Sequence, residues 1–154
     1  MGQQRQAIEP PLAQGWCALA ALHNRIEAHI ERVLQSEHDL SVREFSVLDV
    51  LNRQDGYHLR MNELSDAVVL SQSATTRLVT RLEERGLLSR YLCDTDRRGI
   101  YTEVTPTGCD LLAAARPTHD KALRESLADA EQRPDLAPLV EAVKSLDAPA
   151  PSIV

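Results

Sequence analysis

Leu12, Trp16, Leu19, His23, Ile26, Ile30 and Val33 follow one another at alternating spacings of four and three residues. This is the heptad seam of a helix that presents one apolar stripe to a partner surface. A lone helix cannot bury such a stripe, so the fold must supply a neighbour, from this chain or from a second copy. Pro10-Pro11 open the stretch and the polar run Ser36-Glu37-His38-Asp39 closes it. Ahead of it, residues 1–9 read as a loose polar arm without the basic-then-apolar pattern of a secretory leader. No apolar run approaches the ~18–20 residues that a membrane span requires. The expectation is a cytoplasmic protein whose cysteines, Cys17, Cys93 and Cys109, stay reduced. They form no CxxC pair, which argues against a disulfide framework or a cysteine-rich zinc site.

The rest of the chain alternates helix signals with one β-hairpin. Ser41-Val42-Arg43-Glu44 has the form of a capping box and opens a helix carrying Phe45, Leu48 and Leu51 to about Arg53. Gln54-Asp55-Gly56 is a turn, and Tyr57-His58-Leu59 a very short strand. Met61–Val69 reads as a short helix with Leu64, Ala67 and Val68 inward. Ser71 is a good N-cap for a helix over Gln72–Arg85, with Ala74, Leu78 and Leu82 as its inner face and Gly86 as its C′ residue. Leu87–Leu92 and Ile100–Val104 then pair as a hairpin, with Arg97 and Arg98 near its polar tip and Tyr91 and Tyr101 packing on it. Thr105-Pro106 starts another helix, carrying Leu111, Leu112, Ala115, Ala122, Leu123 and Leu127, in which Pro117 is expected to kink the axis. Leu136–Leu146 forms a last helix, and the Pro/Ala-rich end from Ala148 is loose. The fold class is therefore mainly α with a small β-hairpin wing: a winged helix-turn-helix flanked by long helices.

Net charge is −6, which at first sight opposes a nucleic-acid partner. Its distribution does not. Residues 71–101 carry six arginines against four acids, while every flanking stretch is acidic. Of the basic side chains 15 are Arg and 2 are Lys, a bias that high-GC coding explains as readily as phosphate binding does. The layout favours DNA more strongly than the composition. An α-helix fits the major groove, where base edges present distinguishable donor and acceptor patterns. The first turns of the 72–85 helix offer Ser71, Gln72, Ser73, Thr75, Thr76 and Arg77, with Arg81 one turn further on. Thr75, Thr76, Arg77 and Arg81 are expected to project away from Ala74, Leu78 and Leu82. Ser71 caps, and Gln72 and Ser73 are the better candidates for contact. Arg98 at the hairpin tip can reach a minor groove, where narrow A·T-rich DNA attracts arginine, and Arg97 beside it reads either as a second DNA contact or as support for the wing.

At these residues the chain resembles the multiple-antibiotic-resistance regulator (MarR) family. The resemblance rests on Leu64–Ala67, on the run Thr76–Arg90 with its Arg-Leu-Glu-x-x-Gly-Leu exit, on Asp94-Thr95-Asp96-Arg97-Arg98, and on Val104–Gly108, all in order. It covers residues 41–112. The resemblance implies a single domain over 1–154. Within it lie an N-terminal dimerisation helix (10–38), a winged helix-turn-helix lobe (41–104) and C-terminal dimerisation helices (105–147). It implies a homodimer in which Leu12, Trp16, Leu19, Ile26 and Ile30 meet the partner. It also implies a double-stranded, pseudo-palindromic operator with half-sites roughly 34 Å apart. Asp96 would brace the wing, Arg98 would enter the minor groove, and Arg77 and Arg81 would contact phosphates or bases. The implied activity is transcription regulation, by repression more than by activation.

Members of the family bind small aromatic or phenolic anions between the DNA-binding lobe and the dimer helices. Trp16, His23 and Arg25 stand where they would line such a pocket, although His23 reads first as a core or interface histidine, with the pocket role its alternative. Peroxide-sensing members carry a reactive cysteine near the place of Cys17, but the positions of their two sulfur-bonding tyrosines hold Glu31 and Val42. Without a stabilised thiolate, Cys17 reads as a buried structural residue, with thiol sensing a lesser alternative. No metal or other cofactor is expected; His23 and Glu27 are the one helical pair suited to ligation. A rival reading is a winged-helix module for protein association without DNA. An enzyme has little support, since the chain has no Gly-rich phosphate loop, HExxH, GxSxG or triad.

Overall fold

Three hydroxyl side chains set where the main helices begin. In the computed structural model, which describes residues 10–92 and 99–146, Ser41 Oγ accepts from the Glu44 amide at 3.0 Å and Glu44 Oε1 accepts from the Ser41 amide at 3.2 Å. This completes the expected capping box of α2 (Val42–Asn52). Ser71 caps α4 (Gln72–Glu84) through the Ala74 amide at 3.1 Å, and Thr105 caps α5 (Pro106–Glu131) through the Gly108 amide at 3.1 Å. The remaining elements are α1 (Pro10–His38), a 3-10 turn at Asp55–Tyr57, β1 (His58–Arg60), α3 (Met61–Val68), β2 (Leu88–Leu92), β3 (Ile100–Val104) and α6 (Ala137–Ser145). The cap of α3 was not legible in the sequence: Arg60 is its N-cap residue, and Glu63 Oε2 reaches back to the Arg60 amide at 3.4 Å. The Asp55-Gly56 turn bends through Gly56 at φ +74°, a conformation glycine adopts freely.

The strands form one antiparallel sheet in the order β1-β3-β2, with Leu59 opposite Thr102 and Tyr91 opposite Tyr101. Strand alternation sends Leu59, Leu88, Thr102 and Val104 inward. They join Phe45, Leu48 and Leu51 of α2, Leu64 of α3, Leu78, Val79 and Leu82 of α4, and Leu112 of α5 in the main core. Each fully buried leucine there contributes about 1.5–3 kcal/mol. A second cluster, Leu22, Leu127, Ala130, Leu136 and Val140, ties α1, α5 and α6 together. Buried side-chain nitrogen and oxygen atoms among the described residues all have partners.

Three expectations are corrected by this packing, while α5 runs unbroken through Pro117 from Pro106 to Glu131. The α1 seam does not face one partner throughout. Ile30 is buried in the main core and Ile26 packs against both clusters, so α5 of the same chain takes them up. An α-helix turns by 3.6 residues rather than 3.5, and the stripe therefore drifts around its axis. Leu22, off the seam, points inward instead, while Leu12 (79% exposed), Trp16 (71%) and Leu19 (45%) remain uncovered. Cys17 is exposed rather than buried. Finally, Ser65 joins Leu64 as a buried residue of α3, its hydroxyl donating to the Met61 carbonyl at 3.0 Å, whereas Ala67 and Val68 are half-buried. The loose ends expected at 1–9 and from Ala148 lie outside the described residues.

Candidate nucleic-acid interface

The helix-turn-helix is α3 and α4, joined at Val69. Val69 sits in the left-handed region at φ +55° and is 86% exposed. That geometry is costly for a β-branched residue, and it turns the chain sharply enough for α4 to pack across α3. Thr75, Leu78, Val79 and Leu82 form the buried face of α4. Thr75 was expected on the outer face; instead it is wholly buried and its hydroxyl donates to the Ser71 carbonyl at 2.9 Å. A threonine can sit in a helix core when its own preceding turn satisfies the hydroxyl. The outer face is centred on Ser73, Arg77 and Thr80, flanked by Gln72 and Thr76 on one side and Arg81 on the other. Ser71, Gln72, Ser73, Thr76, Arg77 and Arg81 are all exposed. Thr76 and Thr80 donate to the carbonyls of Gln72 and Thr76, each at 2.8 Å, so both hydroxyls are satisfied within the helix.

Charge pairing separates the arginines of this region into two groups. Arg90 donates from Nη2 to Glu83 Oε1 at 3.0 Å and from its amide to Glu83 Oε2 at 2.9 Å. These bonds hold the Glu83 carboxyl below its ordinary pKa, against a small opposing effect of burial. Arg85 is bound to the buried Glu44 at 3.1 Å. Arg77 and Arg81, by contrast, have no acidic partner among the described residues, although Glu83 and Glu84 are close in sequence. Glu83 is engaged by Arg90, and the exposed Glu84 forms no ion pair with either arginine, so both guanidiniums stay open to a partner.

Two clefts flank α4. One, of about 580 Å³, is lined by Arg43 at the start of α2 with Leu70, Ala74, Arg77, Leu78 and Arg81 of the helix-turn-helix. The other, of about 350 Å³, lies between Gln72 and Thr76, the start of α3 at Arg60 and Asn62, and the wing base at Gly99 and Ile100. The wing base is stiffened by an aromatic cluster: Tyr91 stacks on Tyr101 at 5.8 Å and His58 meets Tyr101 edge-on at 5.3 Å. Arg60 Nε donates to Tyr101 Oη at 3.0 Å. Asp96, Arg97 and Arg98, together with Cys93, lie outside the described residues. Arg43, Arg60 and Asn62 were missed from the sequence, because only the tertiary fold brings them beside α4.

The family model described as the MarR family matches residues 38–99, from the end of α1 to the wing base. Solved structures of the family superpose over nearly the whole chain. The MarR family regulator AbsC of Streptomyces coelicolor has a TM-score of 0.74 and 26% identity, covering 89% of this chain and 92% of its own. This chain is similar to the MarR family in sequence over residues 38–99 and in fold over nearly its whole length. A second Streptomyces coelicolor member, solved in complex with DNA, has a TM-score of 0.72 and 26% identity, covering 93% of this chain and 90% of its own. Among curated relatives, the transcriptional regulator MhqR of Bacillus subtilis is 28% identical over 71% of each chain. The regulator PecS of Dickeya dadantii is 29% identical over 78% of this chain and 71% of its own. The matches are thus to MarR-family transcriptional regulators, one of them solved with DNA, and the fold is the mainly helical winged helix they share.

The other sequence candidates scatter over the MarR fold. Trp16 and His23 are exposed on α1, where His23 Nε2 stands 3.4 Å from Glu27. Arg25 lines a cleft of about 440 Å³ with His29, Arg32, Glu125 and Asp129. Cys109 packs against the main core, with its thiol 3.6 Å from Asn52 Oδ1. Among the described residues no group of three His, Cys, Asp or Glu side chains is placed to hold a metal ion. No described helix is long and apolar enough to cross a membrane.

Proposed function

We propose that this regulator acts as a homodimer on a pseudo-palindromic operator and represses transcription from it. The observation that carries the reading is the unpaired outer face of α4. Arg77 and Arg81 stand exposed beside Gln72, Ser73 and Thr76, on a helix whose buried side is fully packed. Such a helix enters a major groove with its charge free for guanine edges or phosphates. In this reading Arg97 and Arg98 are the wing's contacts to the adjoining minor groove, and Asp96 braces the wing. The dimer reading draws on Leu12, Trp16 and Leu19, a run of large apolar side chains that one protomer leaves in water. The sign of regulation follows the transcriptional repressor MprA of Escherichia coli, 31% identical over 53% of this chain and 46% of its own.

Release by a small aromatic or phenolic effector completes the reading. A cleft of about 450 Å³ joins Asn24, Glu27 and Glu31 of α1 to Val42 of α2 and to Leu78 and Arg81 of α4. A molecule seated there touches the dimerisation helix and the recognition helix together. It would change the spacing of two recognition helices that must enter successive grooves as a pair.

Selection of binding sites from random duplex DNA, followed by titration of the winner at several salt concentrations, tests the proposal. A two-fold palindrome with half-sites one turn apart, and binding that falls steeply with salt, is the expected result. No enrichment at any salt concentration would instead favour a protein-association module.

A further inference from the structure

We propose that Arg43, on α2 rather than on the helix-turn-helix, is a phosphate contact that anchors the DNA backbone on the side of α4 away from the wing. The proposal rests on the major-groove reading of α4 above. A helix lying in the major groove has a sugar-phosphate strand on each side. On one side stand Gln72, Thr76 and the wing base; on the other stand Arg81 and, across the 580 Å³ cleft, Arg43.

Three guanidiniums, Arg43, Arg77 and Arg81, line that cleft, all three are exposed, and none has an acidic partner among the described residues. Arg43 and Arg81 also border a neighbouring cleft with Glu27 and Glu31, but neither acid pairs with them. Glu31 Oε2 accepts from the Val42 amide at 2.8 Å, Glu27 meets His23 at 3.4 Å, and Glu44 holds Arg85 at 3.1 Å. Three like charges around one open cleft repel each other until an anion arrives. A phosphodiester supplies oxygens that guanidiniums bind through charge-assisted hydrogen bonds.

The support beneath Arg43 is rigid. The α2 start is fixed twice, by its capping box and by Glu31 reaching over from α1. Those bonds use up the amides of Ser41, Val42 and Glu44. The helix end therefore offers little as an anion site, and the guanidinium of Arg43 is the binding group.

The test uses full-length protein and its selected operator duplex, with Arg43→Gln, Arg43→Lys and Arg77→Gln compared by fluorescence anisotropy. Arg43→Gln should weaken the operator and a scrambled duplex equally, and should flatten log K against log[salt] by about 0.9 per protomer. Arg43→Lys should restore most of the slope. A neutral methylphosphonate placed in turn at each phosphate flanking a half-site should weaken wild type at one position and leave Arg43→Gln indifferent there. Wild-type affinity and slope for Arg43→Gln would overturn the proposal. So would a variant that changes only competition by benzoate, which would make the cleft a small-anion site. If Arg77→Gln is silent as well and no operator is selected, the major-groove reading has failed, not Arg43 alone. Arg43 is exposed and unpaired, so Arg43→Gln should melt as wild type does.

Discussion

Gly108 sits in the first turn of α5, where the helix crosses the exit of α4, and it leaves no room for a side chain. A Cβ there would overlap the Leu87 carbonyl oxygen and come within 2.7 Å of Val104 Cγ2. The obstacle on one side is backbone, so no rotamer change relieves it. The same carbonyl accepts from the Thr105 amide at 3.0 Å, and the Thr105 hydroxyl accepts from the Gly108 amide while donating to the Gly86 carbonyl at 2.7 Å. Moving α5 off Leu87 therefore strains the cap of α5 and the C-terminal turn of α4 together. Overpacking of this kind costs about 1–3 kcal/mol, and loss of one backbone hydrogen bond adds about 0.5–1.5 kcal/mol. Gly108→Ala should then lower the melting temperature on the order of 10 °C. The exposed neighbour Thr107→Ala, measured at the same protein concentration because a dimer melts by mass action, should differ little from wild type. A Gly108→Ala protein that melts within a degree or two of wild type would show that the crossing has slack, and would refute the reasoning.

Arg77→Ala should cost about 1–3 kcal/mol of operator affinity by titration, while Thr75→Val, inside the core, should leave affinity unchanged. If Thr75→Val abolished binding without unfolding, the placement of Thr75 would be wrong. Val69→Gly should stabilise the fold by about 0.5–1 kcal/mol in urea denaturation, because relief of left-handed strain exceeds the added entropy of glycine. Glu83 is held below its ordinary value of 4.5 by Arg90, so its contribution to stability is complete above that value and disappears as the pH falls through the lower folded one. Glu83→Gln should flatten the acid limb of a stability–pH profile slightly, and an identical limb in both proteins would remove Glu83 from it.

Order and caps were the most legible features of this chain, because they depend on local chemistry. Ser41, Ser71 and Thr105 each satisfy an orphan amide three residues on, and the residue type at one position carries that information. Facing was less legible. Period-four counting through Ala74, Leu78 and Leu82 placed Thr75 outside. The true buried face includes it, because polar residues look external until their hydroxyl partner is known. The α1 seam failed in the same way. Its spacing showed that a partner was needed but not which partner, and α5 covers Ile26 and Ile30 while Leu12, Trp16 and Leu19 stay bare. Arg43 is separated from Arg77 by a turn, a strand and a helix, and no spacing rule joins them.

The net charge of −6 and a DNA-binding role are compatible once the pairing is followed. Acids near the lobe are matched to particular bases: Glu83 to Arg90, Glu44 to Arg85, Asp49 to both Arg53 and Arg116. Each such pair fixes a helix or strand relative to its neighbour and contributes almost no field at a distance. Within the lobe, Arg43, Arg77 and Arg81 have no acidic partner among the described residues, and they line one cleft. Of the acids without an ion pair among the described residues, Asp66 lies on α3, Glu84 on α4, and Asp110 and Asp129 on α5. At physiological ionic strength charges separated by more than about 8 Å are largely screened. A phosphate approaching α4 therefore responds to the local arginines rather than to the sum over the chain. The acidic remainder disfavours other approaches to DNA, so the charge arrangement selects an orientation as well as a partner.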